Sequence, residues 1–301
     1  MSGHANRHVN SKALGAAQVA VSGFAFGFLG IFGKLAFRNG LSVGELLSYR
    51  FLAATLMMAL GLAVFSPLRL IISKRDLAIC AILGIFGYAV FSSLYFYAIK
   101  GVSVAMASLL LYTYPVLVAV GARFAFKQKL TRTQLIALPL ALTGLCILLS
   151  GDFGSLRFLS IGSGLAAALC YAGYILVSSH YQNEIEPLTS GFYVMLFATL
   201  GLFAFHRPDP SRLISLAHDQ MISVGLVIGG IALICTVTPL VLFLSGLQKL
   251  GNTEASLLST IEPVTAAVLG SLLLQETLSL HEWLGGAVVL AALVTTVLGE
   301  K

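Results

Sequence analysis

A fourteen-residue motif occurs twice in this chain, and the two copies lie 148 residues apart. The first copy, ASLLLYTYPVLVAV, spans 107–120, and the second, ASLLSTIEPVTAAV, spans 255–268; eight of the fourteen positions are identical without a gap. Both copies carry a proline at the same place, Pro115 and Pro263, although proline in a helix interior costs about 3 kcal/mol. Self-similarity at a fixed offset predicts a fold built from two copies of one unit.

Apolar stretches of about 18 to 25 residues follow one another along nearly the whole chain, each near the length that crosses the hydrocarbon core of a bilayer. Hydrophobic residues make up 58% of the sequence and charged residues only 10%, whereas a typical soluble domain is about 25% charged. We therefore predict an all-α integral membrane protein with ten transmembrane helices. The predicted spans are 14–37, 43–65, 77–99, 103–124, 133–150, 161–181, 188–205, 221–247, 253–274 and 282–298.

The basic residues are distributed unevenly between the loops. They concentrate after the second and the fourth predicted helix, and these alternate loops lie on the same side of the membrane as the N-terminal tail. By the positive-inside rule that side is the cytoplasm, so both termini are expected there. The net charge of +6 thus reflects membrane orientation, and no nucleic-acid binding is expected. The basic residues of the two loops are Arg69, Lys74, Arg75, Arg123, Lys127, Lys129 and Arg132.

The 148-residue offset maps the first five predicted helices onto the last five. Because five is odd, the second copy must enter the membrane in the opposite direction, which predicts two inverted five-helix repeats around a central cavity. The charges agree with this, since the loop after the fourth helix is basic while the loop after the ninth carries Glu276 and Glu282. The expected divisions are a cytoplasmic tail (1–13), a first repeat (14–150), an external linker (151–160) and a second repeat with a cytoplasmic C-terminus (161–301).

Several motifs occur together in the second half of the chain. They are ASLL at 255–258 followed by EPV at 262–264, the turn QETL at 275–278, and the glycine pair at 285–286; Arg50 adds an arginine in the second helix. In these features the chain resembles the EamA-type ten-helix members of the drug/metabolite transporter superfamily, and the resemblance covers nearly the whole chain.

The resemblance implies a protein of the bacterial inner (plasma) membrane that exports small metabolites, and the branch it resembles first is the aromatic amino-acid exporters of the YddG type. The first repeat departs from the family pattern, because KQK at 127–129 stands where the second repeat has QET at 275–277. The expected partners are a small-molecule solute and the lipid bilayer, with no ATPase subunit. The chain is compatible with a monomeric state.

Glu262 is the most unusual single residue, because the prediction places its carboxylate near the middle of the ninth helix, where a charge is costly. Pro263 removes a backbone donor beside it, and Ser259, three residues earlier, lies on the same helix face. Such a carboxylate either contacts a substrate amine or takes up a proton, or it is a structural group that is hydrogen-bonded to neighbouring helices. The sequence leaves these interpretations open.

Arg50 and Glu45 are possible charge partners in the second helix. Since they are five residues apart, they lie about 140° apart around a helix of 3.6 residues per turn and are not expected to pair with each other. Glu45 is expected near the outer end of the helix, in reach of water. Arg50 lies deeper and is interpreted either as a structural anchor or as a ligand for a substrate carboxylate.

Tyrosine, serine and phenylalanine residues form stripes at helical spacing on four predicted helices. A mixed tyrosine and serine face is too polar for lipid and suits an aromatic-lined cavity for amphipathic solutes, although packing between helices is an alternative. Tyr95, which approaches a helix end, is also interpreted as a possible interfacial belt residue. The predicted pathway residues are Phe24, Phe28, Tyr88, Ser92, Tyr95, Ser108, Tyr112, Tyr171, Tyr174 and Ser178, together with Ser259 and Glu262.

Glycine and proline residues suggest how the helices meet and bend. The pairs Gly23–Gly27 and Gly225–Gly229 have the GxxxG spacing that lets helices approach closely. Pro115 and Pro263 are predicted inside helices, where prolines kink the helix and serve as hinges for alternating access.

Motifs of other functional classes are missing from the sequence. There is no GxxxxGK[ST] phosphate-binding loop and no HExxH zinc motif, so direct ATP use, catalytic residues, a metal site and a cofactor are not expected. We predict an exporter of small amphipathic metabolites, with aromatic or neutral amino acids as the expected solutes, working by facilitated or proton-coupled alternating access. The alternatives are a multidrug or other metabolite exporter of the same fold and, less favoured, a channel, a lipid scramblase or an intramembrane enzyme.

Overall fold

The computed structural model describes residues 2–65, 70–125, 127, 132–148, 150, 155–181, 187–250, 258–259 and 261–298. Within these ranges all regular secondary structure is helical. Six helices are long and apolar enough to cross a membrane, and four further apolar helices are shorter. The prediction of an all-α membrane protein is confirmed. The six long segments are Lys12–Arg38, Val43–Val64, Lys74–Gly101, Phe158–Ser178, Leu188–His206 and Val224–Phe243.

The helices of the first half follow the predicted spans closely, and α3 has the predicted bounds of 43–65. The first helix instead begins much earlier than the predicted residue 14, because its helical hydrogen bonding continues into the polar N-terminal segment. The helices of this half are α1 (Ser2–Gly27), α2 (Leu29–Arg38), α3 (Val43–Phe65), α4 (Lys74–Ile82), α5 (Val90–Gly101), α6 (Val104–Leu111), α7 (Tyr114–Ala125) and α8 (Arg132–Leu148).

The second half contains six helices within the part of the chain that the structure describes. They are α9 (Ser155–Tyr181), α10 (Pro187–His206), α11 (Pro210–Ala232), α12 (Thr238–Leu250), α13 (Ile261–Leu274) and α14 (Leu280–Leu298).

Short polar residues mark where several helices begin. The side chain of Ser73 accepts a hydrogen bond from the amide of Asp76 at the start of α4, and Ser103 does the same for Met106 at the start of α6. Asp209 caps α11 in this way. Such caps satisfy amide groups that have no partner inside the helix, so the sequence itself fixes these boundaries.

The fourth predicted helix, 103–124, is not continuous. The chain leaves the helical path at Tyr112 and Thr113, and α7 begins at Tyr114. Pro115 is therefore the second residue of α7, and it does not lie in the middle of a longer helix. Proline is favoured at this point because amide groups in the first turn of a helix need no partner within the helix.

A π-helical segment interrupts the third helical stretch of each half. The first π-helical segment, Leu83–Ala89, joins α4 to α5, and the second, Leu233–Val237, joins α11 to α12. The two segments end at Ala89 and Val237, which are 148 residues apart. π-Helical turns are rare and occur often at functional sites.

Helix packing recurs at the 148-residue offset when the two halves are exchanged. α1 packs against α12 and α13, and α9, its counterpart, packs against α5 and α7. α8 lies against its own counterpart α14, and α3 lies against α10. The two halves therefore share an extended interface, and the helices of each half are covered largely by those of the other.

Large apolar side chains cover much of the outer surface. Leu60 is 67% exposed, Phe158 74% and Phe205 84%, exposures that are unusual in a soluble protein but expected where lipid tails contact the helices. The core between the halves is instead built from fully enclosed side chains, including Phe51, Tyr95 and Phe96.

Candidate functional site

The break after α6 places the side chain of Tyr112 between the two halves of the molecule. The Tyr112 hydroxyl oxygen lies 2.9 Å from Oε2 of Glu262 and 2.7 Å from the carbonyl oxygen of Ser259. Tyr112 is only 3% exposed, so these contacts are made in the protein interior. A hydroxyl from the first half thus meets a carboxyl group and a carbonyl group from the second half.

Glu262 stands in the first turn of α13, whereas the sequence analysis placed it near the middle of the ninth helix. The following Pro263 is buried and suits this position, because its missing amide is not needed in the first turn. Much of the predicted N-terminal part of that helix, 253–257 and 260, lies outside the described residues.

The two contacts of the Tyr112 hydroxyl determine which hydrogen bonds are possible in each protonation state of Glu262. A phenol hydroxyl carries one hydrogen, so it donates to either Ser259 or Glu262 at any moment. When Glu262 is protonated, its own hydroxyl donates to Tyr112, and Tyr112 donates to the Ser259 carbonyl. When Glu262 is ionised, Tyr112 donates to the carboxylate. The geometry accommodates both protonation states.

Seven aromatic side chains form a connected group that we call the aromatic cluster. Tyr171 lies at its centre, with ring centroids 4.7 Å from Phe91, 4.8 Å from Tyr114 and 6.0 Å from Tyr174. Tyr174 continues the chain of rings to Tyr88 at 5.7 Å. The cluster consists of Tyr88, Phe91, Tyr95, Tyr112, Tyr114, Tyr171 and Tyr174.

Five of the predicted pathway tyrosines are therefore brought together, and the cluster also contains Phe91 and Tyr114, which the predicted pathway omitted. Phe91 could have been found from the sequence, because it lies three residues after Tyr88 and four before Tyr95 and so shares their helix face. Tyr114 reaches the cluster because the chain bends after α6, and its ring lies 5.8 Å from that of Tyr112.

The serines that accompany the tyrosine stripes are placed nearby. Ser108 lies 3.0 Å from the Tyr95 hydroxyl, and both side chains are buried. This burial contradicts the interpretation of Tyr95 as a belt residue at the membrane surface. Ser178 hydrogen-bonds the Tyr174 side chain, and Ser92 is 3% exposed.

Phe24 and Phe28 form a pair of their own. Their ring centroids are 5.3 Å apart in an edge-to-face arrangement. Phe28 packs against the core, whereas Phe24 is 50% exposed. Among the described residues, neither ring contacts the tyrosines of the aromatic cluster. A pathway role for these two residues stays a prediction.

Arg50 is buried beside the second π-helical segment. Its Nε donates to Oγ1 of Thr236 at 2.8 Å, and its Nη2 lies 3.4 Å from the carbonyl oxygen of Cys235. The guanidinium carbon lies 5.1 Å from the ring centroid of Phe51 and 5.6 Å from that of Phe96. Arg50 is 2% exposed, so it neither snorkels to the surface nor pairs with Glu45.

Glu45 is 6% exposed, so the expectation that it reaches water is wrong. It accepts hydrogen bonds from the amide of Ser42 at 2.8 Å and the hydroxyl of Ser42 at 2.7 Å. Its other oxygen lies 3.4 Å from Nη1 of Arg212. Glu45 forms a capping box with Ser42 at the start of α3, and it also neutralises a cation from the second half. These two roles explain its burial.

A further polar contact between the halves involves Glu276. Its Oε2 accepts a hydrogen bond from the amide of Val104 at 2.8 Å, and its Oε1 lies 3.4 Å from Nζ of Lys34. Lys34 also donates to the carbonyl of Val102 at 3.0 Å. From the sequence, Glu276 supports the inverted repeat and belongs to a family motif, but its contact with the first half was not predicted, although an acidic residue in a tight turn between apolar helices was a usable signal.

The chain is similar in sequence to known membrane transporters. The sequence profile described as the EamA-like transporter family matches residues 13–150 and again 159–298. An uncharacterized transporter of Archaeoglobus fulgidus is 30% identical over 212 residues, which is 69% of this chain and 74% of that protein. The threonine/homoserine exporter RhtA of Escherichia coli K12 is 27% identical, over 82% of this chain and 81% of that protein.

Two further comparisons cover almost the whole chain. The uncharacterized transporter YcbK of Bacillus subtilis is 26% identical, over 92% of this chain and 90% of that protein. A solved crystal structure at 16% identity aligns with a TM-score of 0.61 and covers 94% of this chain and 98% of that chain. At this identity the likeness shows the fold alone.

Proposed function

Because this chain belongs to the EamA-like transporter family, we propose that it exports small amphipathic amino acids across the bacterial inner membrane by alternating access. In this proposal ten transmembrane helices form two inverted repeats, 14–150 and 161–301, with both termini in the cytoplasm. The solute binds between the repeats, and lipid surrounds the outer surface. No ATPase subunit takes part.

The observation that carries the proposal is the contact of Tyr112 with Glu262 at the edge of the aromatic cluster. An amino acid offers an ammonium group and, in many cases, an apolar side chain. A carboxylate binds the first, and tyrosine faces bind the second and also attract cations. Both elements lie at the interface of the halves, where transporters with inverted repeats bind their substrates.

Transport is either facilitated or coupled to protons, and Glu262 is the group on which the difference depends. The contact with Tyr112 is compatible with both protonation states of Glu262, as the hydrogen count allows. A proton on Glu262 would compete with the ammonium group of the solute, which gives a route to exchange. Without such competition the solute moves down its own gradient.

The test uses the purified full-length chain in liposomes loaded with labelled L-phenylalanine or L-threonine, with and without a pH gradient. We expect efflux that saturates with solute concentration and shows counterflow. Efflux that does not saturate would support a channel or scramblase instead. No flux of any aromatic or neutral amino acid would overturn the proposed solute class, and equal rates with and without the gradient would exclude proton coupling.

Two variants test the site, with a third as their matched control. Glu262→Gln removes the charge and Tyr112→Phe removes the hydroxyl, and each is expected to lower the initial efflux rate at least tenfold. Tyr97→Phe removes a hydroxyl from a side chain that is 46% exposed and outside the aromatic cluster, and it should transport normally. Normal transport by Glu262→Gln would reduce Glu262 to a structural residue.

A further inference from the structure

Arg50 has more hydrogen-bond donors than the surrounding protein uses. A guanidinium group carries five N–H donors, and the described residues supply two acceptors, the Thr236 hydroxyl and the Cys235 carbonyl. Both acceptors are uncharged. The ion pairs among the described residues join other partners and do not include Arg50. Among the described residues this enclosed cation therefore has only neutral hydrogen-bond partners, which is an expensive arrangement for a purely structural contact.

The other half of the molecule shows that a π-helical segment does not need an arginine. The residue 148 positions after Arg50 is Ala198, which lies against the first π-helical segment. A Cβ atom added at Gly84 in that segment would lie 2.9 Å from the amide nitrogen of Ala198 and 2.5 Å from the carbonyl oxygen of Val194. There the π-helical segment packs directly on a helix backbone, without a charged side chain.

Arg50 and Glu262 both lie next to the aromatic cluster. The Arg50 guanidinium lies over Phe51 and Phe96, whose ring centroids are 5.6 Å from Tyr88 and 5.9 Å from Tyr95, respectively. Glu262 contacts the same cluster through the Tyr112 hydroxyl. The two charged residues do not form an ion pair with each other. A cation and a carboxyl group are thus held apart, with part of the aromatic cluster near both.

We propose that Arg50 is the carboxylate subsite of the solute site, so that the site selects zwitterions: the solute carboxylate binds Arg50 and its ammonium group binds Glu262 and Tyr112. Arginine suits this role because its planar donors match the two oxygens of a carboxylate. This inference rests on the proposed function and adds the residue that binds the solute carboxylate. Amines that lack a carboxylate leave the guanidinium without an anion.

The test compares solutes that differ only in the carboxylate, using the full-length protein in liposomes. Counterflow of labelled L-phenylalanine is measured against unlabelled L-phenylalanine, phenethylamine and L-phenylalaninamide, and L-threonine is paired with 1-amino-2-propanol. We expect the solutes without a carboxylate to compete at least tenfold more weakly, because a charged hydrogen-bonded pair is lost. Equal competition by phenethylamine and L-phenylalanine would overturn the inference while leaving transport intact.

Variants give a second measurement. Arg50→Gln should weaken L-phenylalanine competition at least tenfold and bring it close to that of phenethylamine, while Arg50→Lys should retain part of the preference. Thr55→Val is the control, because it removes a buried hydroxyl of the same helix that pairs with Thr199 at 3.1 Å, and it should keep the preference for the zwitterion. If Arg50→Gln folds and still prefers L-phenylalanine over phenethylamine by the wild-type ratio, the inference is wrong. If no amino acid is transported by the wild-type protein, the proposed function itself fails.

Discussion

The amide of Val104 donates to Oε2 of Glu276 across 2.8 Å, and this hydrogen bond joins the start of α6 in the first half to the turn before α14 in the second. The backbone of the turn that carries Glu276 has two features that accompany this contact. Gln275 has a left-handed backbone with φ of 56°, and the Glu276 amide returns to the carbonyl of Gly270 at 3.2 Å. A Cβ atom added at Gly270 would lie 3.0 Å from Oε2 of Glu276.

Glu276→Ala should destabilise the protein, because it leaves the Val104 amide and Lys34 without their shared partner. A lost helix cap costs about 1 kcal/mol, and the partly exposed ion pair adds little. Glu276→Gln keeps an acceptor oxygen and should lose less. Melting temperature in detergent and solute efflux are the measurements.

The control for this prediction is Glu282→Ala. Glu282 accepts from the amide of Ser279 at 2.8 Å within its own turn, so its removal also weakens a helix start but, among the described residues, breaks no hydrogen bond or ion pair between the halves. Both variants should melt earlier, and only Glu276→Ala should change the efflux rate. Equal efflux from the two variants would show that the contact between the halves has no part in transport.

Gly27→Ala should be strongly destabilising. A Cβ atom there would lie 2.6 Å from Cβ of Thr265 and 3.3 Å from the amide nitrogen of Ala266, so α1 would have to move away from α13. Overpacking of this kind costs about 1 to 3 kcal/mol. The measurement is the free energy of unfolding in mixed micelles.

The matched control is Gly229→Ala, in the other GxxxG pair. Nothing lies within 4 Å of a Cβ added at Gly229, so the substitution should stay within about 0.5 kcal/mol of the wild type or stabilise it slightly. Equal losses in the two variants would contradict the close contact of α1 with α13.

Ser22→Ala should remove a buried hydrogen bond between α1 and α12, in which the Ser22 hydroxyl donates to the Pro239 carbonyl at 2.7 Å. Side-chain hydrogen bonds between membrane helices contribute about 0.6 kcal/mol on average. Ser93→Ala is the control, because Ser93 donates to the Ala89 carbonyl at 2.8 Å within its own helical stretch. Unfolding in micelles should show a larger loss for Ser22→Ala, and the reverse order would contradict the prediction.

Asp209 gives a pH dependence outside the membrane-spanning segments. The side chain and the amide of Ser211 both donate to its Oδ1, at 2.8 and 2.9 Å, and these bonds lower the pKa of Asp209. Because the folded state favours the ionised form, the stabilisation is present above the unfolded pKa of about 3.9 and is lost as pH falls through the lower folded value. Asp209→Asn should melt earlier than the wild type at neutral pH, and the difference should shrink below about pH 4. A difference in melting temperature that grows at acid pH would contradict the prediction.

The sequence predicts most of the helical framework, because membrane helices can be recognised from the length and hydropathy of their segments. The bounds of α3 and the inward placement of Tyr95 and Tyr112 both agree with that pattern. Pro115 indicates an irregularity in the fourth span, but a proline at this position is compatible with either a kinked helix or the start of a new helix. The structure distinguishes them, since Tyr112 and Thr113 leave the helical path.

The contacts that define the site could not be predicted in the same way. Arg50 and Thr236 are 186 residues apart in sequence, and no local pattern relates them. A π-helical segment changes hydrogen-bond register over a few residues without altering the apolar composition. The sequence pattern therefore did not predict the second π-helical segment. Glu45 was misplaced because a carboxylate near a helix end normally reaches water, and its ion pair with Arg212 depends on a distant helix.

The matched π-helical segments also bear on the history of this molecule. A π turn accommodates one residue more than a regular helix does over the same rise, and here such turns end at Ala89 and Val237, which are equivalent positions of the two halves. One insertion in an ancestral single unit, copied when that unit doubled, accounts for both. In such a history the π turn comes before the duplication, and the difference between Arg50 and Ala198, which occupy equivalent positions, comes after it.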